Sequence, residues 1–273
     1  MTAALALSHL AATVAPAPTT TAPAPSLWAP ATPGVELTVV IPFYNCGPVV
    51  ARTIQEVRAV LTAAGIGYEI IAVNDGSTDG SQRFAANVPG VRLIDNRTNS
   101  GKGNALHQGF AAARGAWVGF IDADGDIAAH HLATYLEMAR EGDHSAVYAD
   151  KRHARSTSSA SAARKLLSIT FSTVVTGAFL LKVKDTQTGC KIFRRDVLAE
   201  ILPHLREQRF ACDLEFFVAA KAAGFSDPQP APVEVNTAAN GSTVSTNSII
   251  RTLRDTFDVL KRHRAGHYRR IAA

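Results

Sequence analysis

Asp122, Asp124 and Asp126 alternate in the segment IDADGDI, immediately after an apolar run. Three carboxylates this close repel one another unless a cation or hydrogen-bond donors neutralise them. Hard oxygen donors suit Mg²⁺ or Mn²⁺, which also bridge to a diphosphate. An aspartate-rich turn capping a helix that starts near Ala128 is the weaker alternative, since aspartate is a good N-cap and capping by Asp126 is compatible with either reading. An EF-hand is excluded. Its loop needs glycine at the sixth position and glutamate at the twelfth, and counting from Asp122 those positions hold Ile127 and Ala133.

Two further polar segments invite a phosphate or nucleoside reading. NSGKGNAL (Asn99 to Leu106) fails as a Walker A loop, since Asn96 stands where the first glycine is needed. It also fails as a dinucleotide GxGxxG, since Leu106 takes the last glycine's place. What is left is Lys102, flanked by glycines at a helix start, where a cation and backbone N–H groups can serve a phosphate. A plain turn fits that segment equally well. In NDGSTDGS (Asn74 to Ser81), Asp75 or Asp79 can accept hydrogen bonds from a ribose or base. A turn with Ser77 or Asp79 capping the next helix is the simpler alternative.

The elements that must position these residues are legible in the first half of the chain. LTVVIP (from Leu37), YEIIAV (Tyr68 to Val73), VRLID (Val91 to Asp95) and AWVGFID (to Asp122) are short apolar runs that predict buried strands. Helical stretches lie between them, at about Pro48 to Ala64 and Lys102 to Arg114. Strands alternating with helices predict an α/β fold with a mostly parallel central sheet flanked by helices. The polar loops all follow strand C-termini, the ends at which open α/β sheets bind ligands.

The second half is less regular. A strand is expected near Ser145 to Ala149, followed by the basic segment DKRHARSTSSASAARK, an apolar stretch over 166–181 and a loop, DTQTGCKIF. A helix is expected around Asp213 to Ala223 and a strand near Pro232 to Val235. From Thr246 to His263 the pattern is helical, with Ile249, Ile250, Leu253, Phe257 and Leu260 on one apolar face.

Composition bounds the function classes. With 47% hydrophobic and 19% charged residues the chain reads as globular, apart from an Ala/Pro/Thr-rich leader over residues 1–34 that is expected to be disordered. The net charge of +5, concentrated late in the chain at Lys261, Arg262, Arg264, Arg269 and Arg270, favours anionic partners. The three cysteines, Cys46, Cys190 and Cys212, show neither a zinc pattern nor a disulfide framework, which points to a reducing compartment. No apolar run reaches the ~18 residues of a membrane span, and the leader lacks the basic start of a secretory signal. A cytoplasmic protein, at most peripheral to a membrane, is expected.

Taken together, the blocks VVIPFYN, VNDGSTDGS, NSGKGNAL, FIDADGD, KRHAR…AARK, DTQTGCKIF and RFACDLEFFVAAKAAGF followed by PVEV resemble family 2 glycosyltransferases of the GT-A fold. The resemblance is strongest to the dolichyl- and polyprenyl-phosphate glucosyl and mannosyl synthases, and it spans about Leu37 to Arg262. It implies a GT-A domain over 35–250 and a basic C-terminal helix and tail over 251–273. It further implies that Pro42, Tyr44, Asn45 and Asp75 line a nucleoside pocket with Lys102 near it. Asp122 and Asp124 match the metal-binding DxD, with Asp126 a third ligand. Arg152 and Arg164, beside Lys151, match basic positions near a lipid phosphate. Asp185, Gln187 and Lys191 belong to an acceptor-side block, and Asp213 and Glu215 match an acidic pair. Cys46 replaces a glutamate common in relatives, and Lys151 replaces a small residue.

The implied reaction is inverting transfer of a hexose from a UDP- or GDP-sugar to a polyprenyl phosphate, with Mg²⁺ or Mn²⁺ as cofactor. The partners are then a nucleotide-sugar, a polyprenyl phosphate and an anionic membrane surface touched by 166–181 or the basic C-terminus. No nucleic-acid partner is expected. A saccharide or protein acceptor is the alternative, and it requires a base, with Asp213 or Glu215 the candidates. A catalytically silent sugar-nucleotide-binding subunit is the third possibility.

Overall fold

The structure, a computed structural model, describes residues 31–158, 177–225, 227–235 and 246–271. Arg164 and the greater part of the 166–181 stretch therefore lie outside the described residues, as does nearly all of the leader.

Strands Leu37–Phe43 (β1), Tyr68–Asp75 (β2), Val91–Asn96 (β3) and Trp117–Ile121 (β4) form where the apolar runs predict them. β1 is buried along its whole length, which is why its sequence shows a continuous apolar run instead of alternation. Helix Val49–Ala63 (α1) joins β1 to β2, Ser81–Ala86 (α2) joins β2 to β3, and Lys102–Ala112 (α3) joins β3 to β4. α1 buries Val50, Ile54, Val57 and Leu61, one stripe at helical spacing.

Beyond β4 come helix His130–Glu141 (α4) and strands Ala146–Ala149 (β5), Thr157–Ser158 (β6) and Cys190–Arg194 (β7). Helices Arg195–Ile201 (α5) and Cys212–Ala222 (α6) follow, then strands Gln229–Ala231 (β8) and Glu234–Val235 (β9), and helix Thr246–Arg264 (α7). Seven strands share one sheet in the order β3-β2-β1-β4-β7-β5-β8, and β6 pairs separately with β9. Within the large sheet β7 alone runs antiparallel to its neighbours, so the sheet is mostly parallel, as the alternation predicts. Alternate residues of each strand feed two cores. Val40, Ile71, Val73 and Phe120 pack with Phe110 of α3 and Phe216 of α6, while Val39, Ile41, Ile70 and Ala72 pack with α1 and α4.

Three sequence expectations need correction. The segment expected as the loop DTQTGCKIF contains β7, and the lysine at its second position hid the strand signal. That lysine is fully buried against carboxylate and carbonyl partners described below. The strand expected over 232–235 is broken at Pro232, which cannot donate to a ladder, and the pairing divides between β8 and β9. In α7 the expected apolar face is only partly buried: Leu260 packs on the core, Leu253 and Phe257 are about half exposed, and Val259 and Asp255 are buried instead. Arg262, on the Val259 side of that helix, docks it by ion pairs to Glu207 and Glu215.

Candidate active site

β1 has β2 on one side and β4 on the other, so the chain reverses its direction of winding between β1 and β4. That crevice, outside the C-terminal strand ends, is where doubly wound sheets bind ligands. Tyr44 and Asn45 leave β1 there, Asp75 ends β2, and Asp122 to Asp126 leave β4. Because β7 is antiparallel to β4, its beginning lies at the same edge, with Cys190 opposite Ile121.

Lys102, the first residue of α3, reaches into this crevice. Its Nζ lies 2.7 Å from Asp122 Oδ1 and 3.4 Å from Asp213 Oδ2, and 5.0 Å from the centre of the Phe120 ring. On the far side of Asp213, Lys191 Nζ lies 2.7 Å from Asp213 Oδ1 and donates to the Thr188 carbonyl at 2.6 Å. The result is a chain of alternating charge, Asp122, Lys102, Asp213, Lys191, running from the end of β4 through the first turns of α3 and α6 to β7. Burial works against the Lys102 charge, but the Asp122 and Asp213 carboxylates outweigh it and hold the ammonium above the ordinary lysine value. Burial also raises the Asp122 carboxyl, against the pull of Lys102 and with added repulsion from Asp124. Asp124 is raised by burial as well, partly offset by the Asp126 N–H that donates to its Oδ1 at 3.0 Å.

Among the described residues no three His, Cys, Asp or Glu side chains converge as a metal-holding group. Lys102 balances the Asp122 charge, and the Asp126 N–H donates to Asp124 Oδ1. Two crowded carboxylates whose ionised forms are disfavoured by burial are still a hard-oxygen pair that a divalent cation stabilises, so Asp122 and Asp124 fit Mg²⁺ or Mn²⁺.

The remaining expected residues fall into three groups. Among the residues expected to line a nucleoside pocket, Asn45 Oδ1 accepts from the Thr78 N–H at 2.8 Å, and its own N–H donates to Ser77 Oγ at 3.0 Å, tying the loop after β1 to the loop after β2. Pro42 is buried within β1 while Tyr44 is exposed. The two Asp75 oxygens accept from the Ser100 and Gly101 N–H groups, each at 2.8 Å, so Asp75 orients the loop that presents Lys102. Among the residues expected to serve an acceptor, Asp185 is buried and accepts from the Lys151 N–H at 3.3 Å, and the Lys151 ammonium lies 3.6 Å away. The Gln187 N–H turns back to the same carboxylate at 3.3 Å, and the Arg152 N–H donates to Asp150 at 2.8 Å.

Glu215 forms the third group by itself. Asp213 and Glu215 are two apart on α6, a spacing that does not share a helix face. Glu215 is fully buried, and it accepts from the backbone N–H groups of Arg206 and Glu207 and from the Tyr268 hydroxyl. It does not join Asp213 in the crevice.

Two contributors escaped sequence reasoning. Thr53 of α1 donates to the Ala123 carbonyl at 3.0 Å and pins the aspartate loop from below. Gly189 packs so closely on Asp122 that a Cβ there would lie 2.1 Å from Asp122 Oδ2, while its carbonyl accepts the Asp122 N–H at 2.9 Å. Its position within DTQTGCK, between threonine and a strand, was the available signal.

The sheet order, the crevice at the β1/β4 switch and the acidic loop after β4 define a GT-A glycosyltransferase fold. Solved structures agree: glucosyl-3-phosphoglycerate synthase from Mycobacterium tuberculosis in complex with UDP superposes with a TM-score of 0.65 at 16% identity, covering 85% of this chain and 81% of that one. The same enzyme with Mn²⁺, UDP and phosphoglyceric acid gives 0.60 at 21% identity, covering 85% and 79%. The Glycosyl transferase family 2 model matches residues 38–202. The chain belongs to that family and is a glycosyltransferase. Its curated relatives include a dolichyl-phosphate beta-glucosyltransferase of Trichomonas vaginalis, 28% identical over 86% of this chain and 76% of the relative. The dolichyl-phosphate beta-glucosyltransferase of Saccharomyces cerevisiae is 30% identical over 67% of this chain, which spans only 62% of that relative's length.

Proposed function

We propose that the protein transfers a hexose from a UDP- or GDP-sugar to a polyprenyl phosphate, with inversion at the anomeric carbon. The observation that carries this reading is the state of the two candidate bases. Asp213 is held by Lys191 and Lys102, and Glu215 by two backbone N–H groups, Tyr268 and Arg262. A hydroxyl acceptor needs a carboxylate to take its proton, whereas a phosphate monoester, with a second pKa of ~6, is already largely ionised at neutral pH. The names of the relatives, which are dolichyl-phosphate beta-glucosyltransferases, support this acceptor class and favour glucose as the sugar.

In this reading Asn45, Tyr44 and the loop held by Asp75 receive the nucleoside, and Lys102 meets the diphosphate. Asp122 and Asp124 would hold a divalent cation, which supplies Lewis-acid stabilisation to the departing nucleoside diphosphate. Lys151 and Arg152, at the end of β5, face the acceptor phosphate, with charge-assisted hydrogen bonds as the means of grip. The work of the site is to align two anions and stabilise a leaving group.

No helix among the described residues is long and apolar enough to cross a membrane. The exposed Leu253 and Phe257 on α7, with Lys261 stacked 4.7 Å from the Phe257 ring centre and Arg254 nearby in the helix, suit peripheral contact with the cytoplasmic face of an anionic bilayer.

The test is incubation with Mn²⁺ or Mg²⁺, a panel of labelled UDP- and GDP-sugars and a short polyprenyl phosphate. Label is expected in the lipid with one donor, and is expected to vanish in Asp124→Ala. Labelled oligosaccharide with an unlabelled lipid overturns the reading.

A further inference from the structure

The carboxylate of Glu215 lies at the centre of a buried junction that has no role in the transfer chemistry above. Its Oε2 accepts from the Arg206 N–H at 2.9 Å and from the Glu207 N–H at 2.7 Å. Its Oε1 accepts from the Tyr268 hydroxyl and lies 3.6 Å from Arg262 Nε. Arg262 also donates to Glu207 Oε2 at 3.1 Å, and the His267 ring lies 2.9 Å from the His204 carbonyl. Residues of α7 and of the turn after it thus hold the 204–209 loop, Tyr268 from a buried position and Arg262 and His267 from partly buried ones.

That loop is the surface on which the first turn of α3 rests. The Gln208 carbonyl accepts the Asn104 N–H at 3.0 Å. A Cβ at Gly101 would lie 2.3 Å from the Gln208 oxygen, and one at Gly103 would lie 2.5 Å from the Glu207 oxygen. The two glycines flanking Lys102 are therefore a close-packing requirement against this loop. A shift of the loop moves the backbone on either side of Lys102, and with it the ammonium set between Asp122 and Asp213.

We propose that Glu215 is a positioning residue for Lys102, and that Tyr268 and Arg262 of the C-terminal segment set that position through it. The proposal rests on the reading of Lys102 as the residue that meets the donor diphosphate. Removing one partner from a buried charged acceptor relaxes the loop without altering any group that touches substrate.

Glu215→Ala strips a buried junction and endangers folding, so the test uses the full chain with Tyr268→Phe, and Arg262→Gln as a second variant. Backbone amide exchange is followed at Asn104, Arg206 and Glu207, with Val40 and Ile71 of the central strands as controls. Exchange at the three loop-side amides is expected to quicken by ~10-fold or more in Tyr268→Phe, with the controls unchanged, as one lost charge-assisted hydrogen bond implies. The donor KM is expected to rise ~10-fold with kcat within about twofold, since the loss falls on donor placement. Unchanged exchange at Asn104 overturns the proposal, as does quickened exchange with an unchanged KM. If the unmodified protein transfers sugar from no donor, the functional reading fails. The exchange at Asn104 then decides alone whether Tyr268 governs the backbone beside Lys102.

Discussion

Lys102 and Asp122 form an ion pair of 2.7 Å across the crevice between β1 and β4, joining the start of α3 to the end of β4. A diphosphate arriving there meets an ammonium already in place. Lys102→Met is expected to weaken UDP binding in the presence of Mn²⁺ by ~10- to 100-fold, the range for one lost charge-assisted contact. Titration calorimetry measures this, and an unchanged affinity removes Lys102 from the donor site.

Lys191 has the same chemistry and a different task. It is fully buried between Asp213 and the Thr188 carbonyl. Lys191→Met leaves Asp213 buried with only the longer contact to Lys102, and breaking a buried pair in this way costs about 3–5 kcal/mol. Urea denaturation is expected to show that loss, and a much smaller one for Lys102→Met, whose ammonium is partly exposed. Equal losses for the two variants contradict this division of labour.

Gly189→Ala places a methyl 2.1 Å from Asp122 Oδ2 unless the carboxylate moves. Displacement by such a distance of the carboxylate that pairs with Lys102, and that is proposed to hold the cation, is expected to lower kcat/KM by ~100-fold. The far-UV circular dichroism is expected to stay unchanged. Full activity in the alanine variant shows that the Asp122 position is not critical.

His131, near the start of α4, is buried, and its Nε2 accepts the Glu234 N–H at 3.2 Å, a bond the protonated ring cannot make. Burial first, and then His130, push its pKa down to about 4. The unfolded chain, with an ordinary value of ~6.5, takes up its proton earlier as pH falls. Stability from this group is therefore complete above ~6.5 and is lost progressively towards pH ~4, by at most about 3 kcal/mol. The difference in urea midpoint between pH 7 and pH 5 is expected to shrink in His131→Gln. A difference as large as in the unmodified chain assigns the acid sensitivity elsewhere.

The first half of the fold was legible because β1, β2 and β4 are buried for most of their length and announce themselves as apolar runs closed by polar loops. Asp75, Lys102, Asp122 and Asp124 then fell at one sheet edge by topology alone. The second half withheld more. β7 carries a lysine whose burial depends on Asp213, a partner 22 residues away that no local pattern reveals. The i, i+2 spacing of Asp213 and Glu215 reads as a pair in sequence, yet it sends them to different faces of α6. α7 was expected to bury Leu253 and Phe257, but the long-range pull of Glu207 and Glu215 on Arg262 sets its orientation.

Transfer to phosphate without a dedicated base is the centre of the proposed mechanism, and it is tested most directly by offering two acceptors of one chain length, a polyprenyl phosphate and the corresponding polyprenol. With a labelled nucleotide-sugar and Mn²⁺, label is expected to enter the phosphate and not the alcohol. Comparable labelling of the alcohol, or labelling of the alcohol alone, contradicts it.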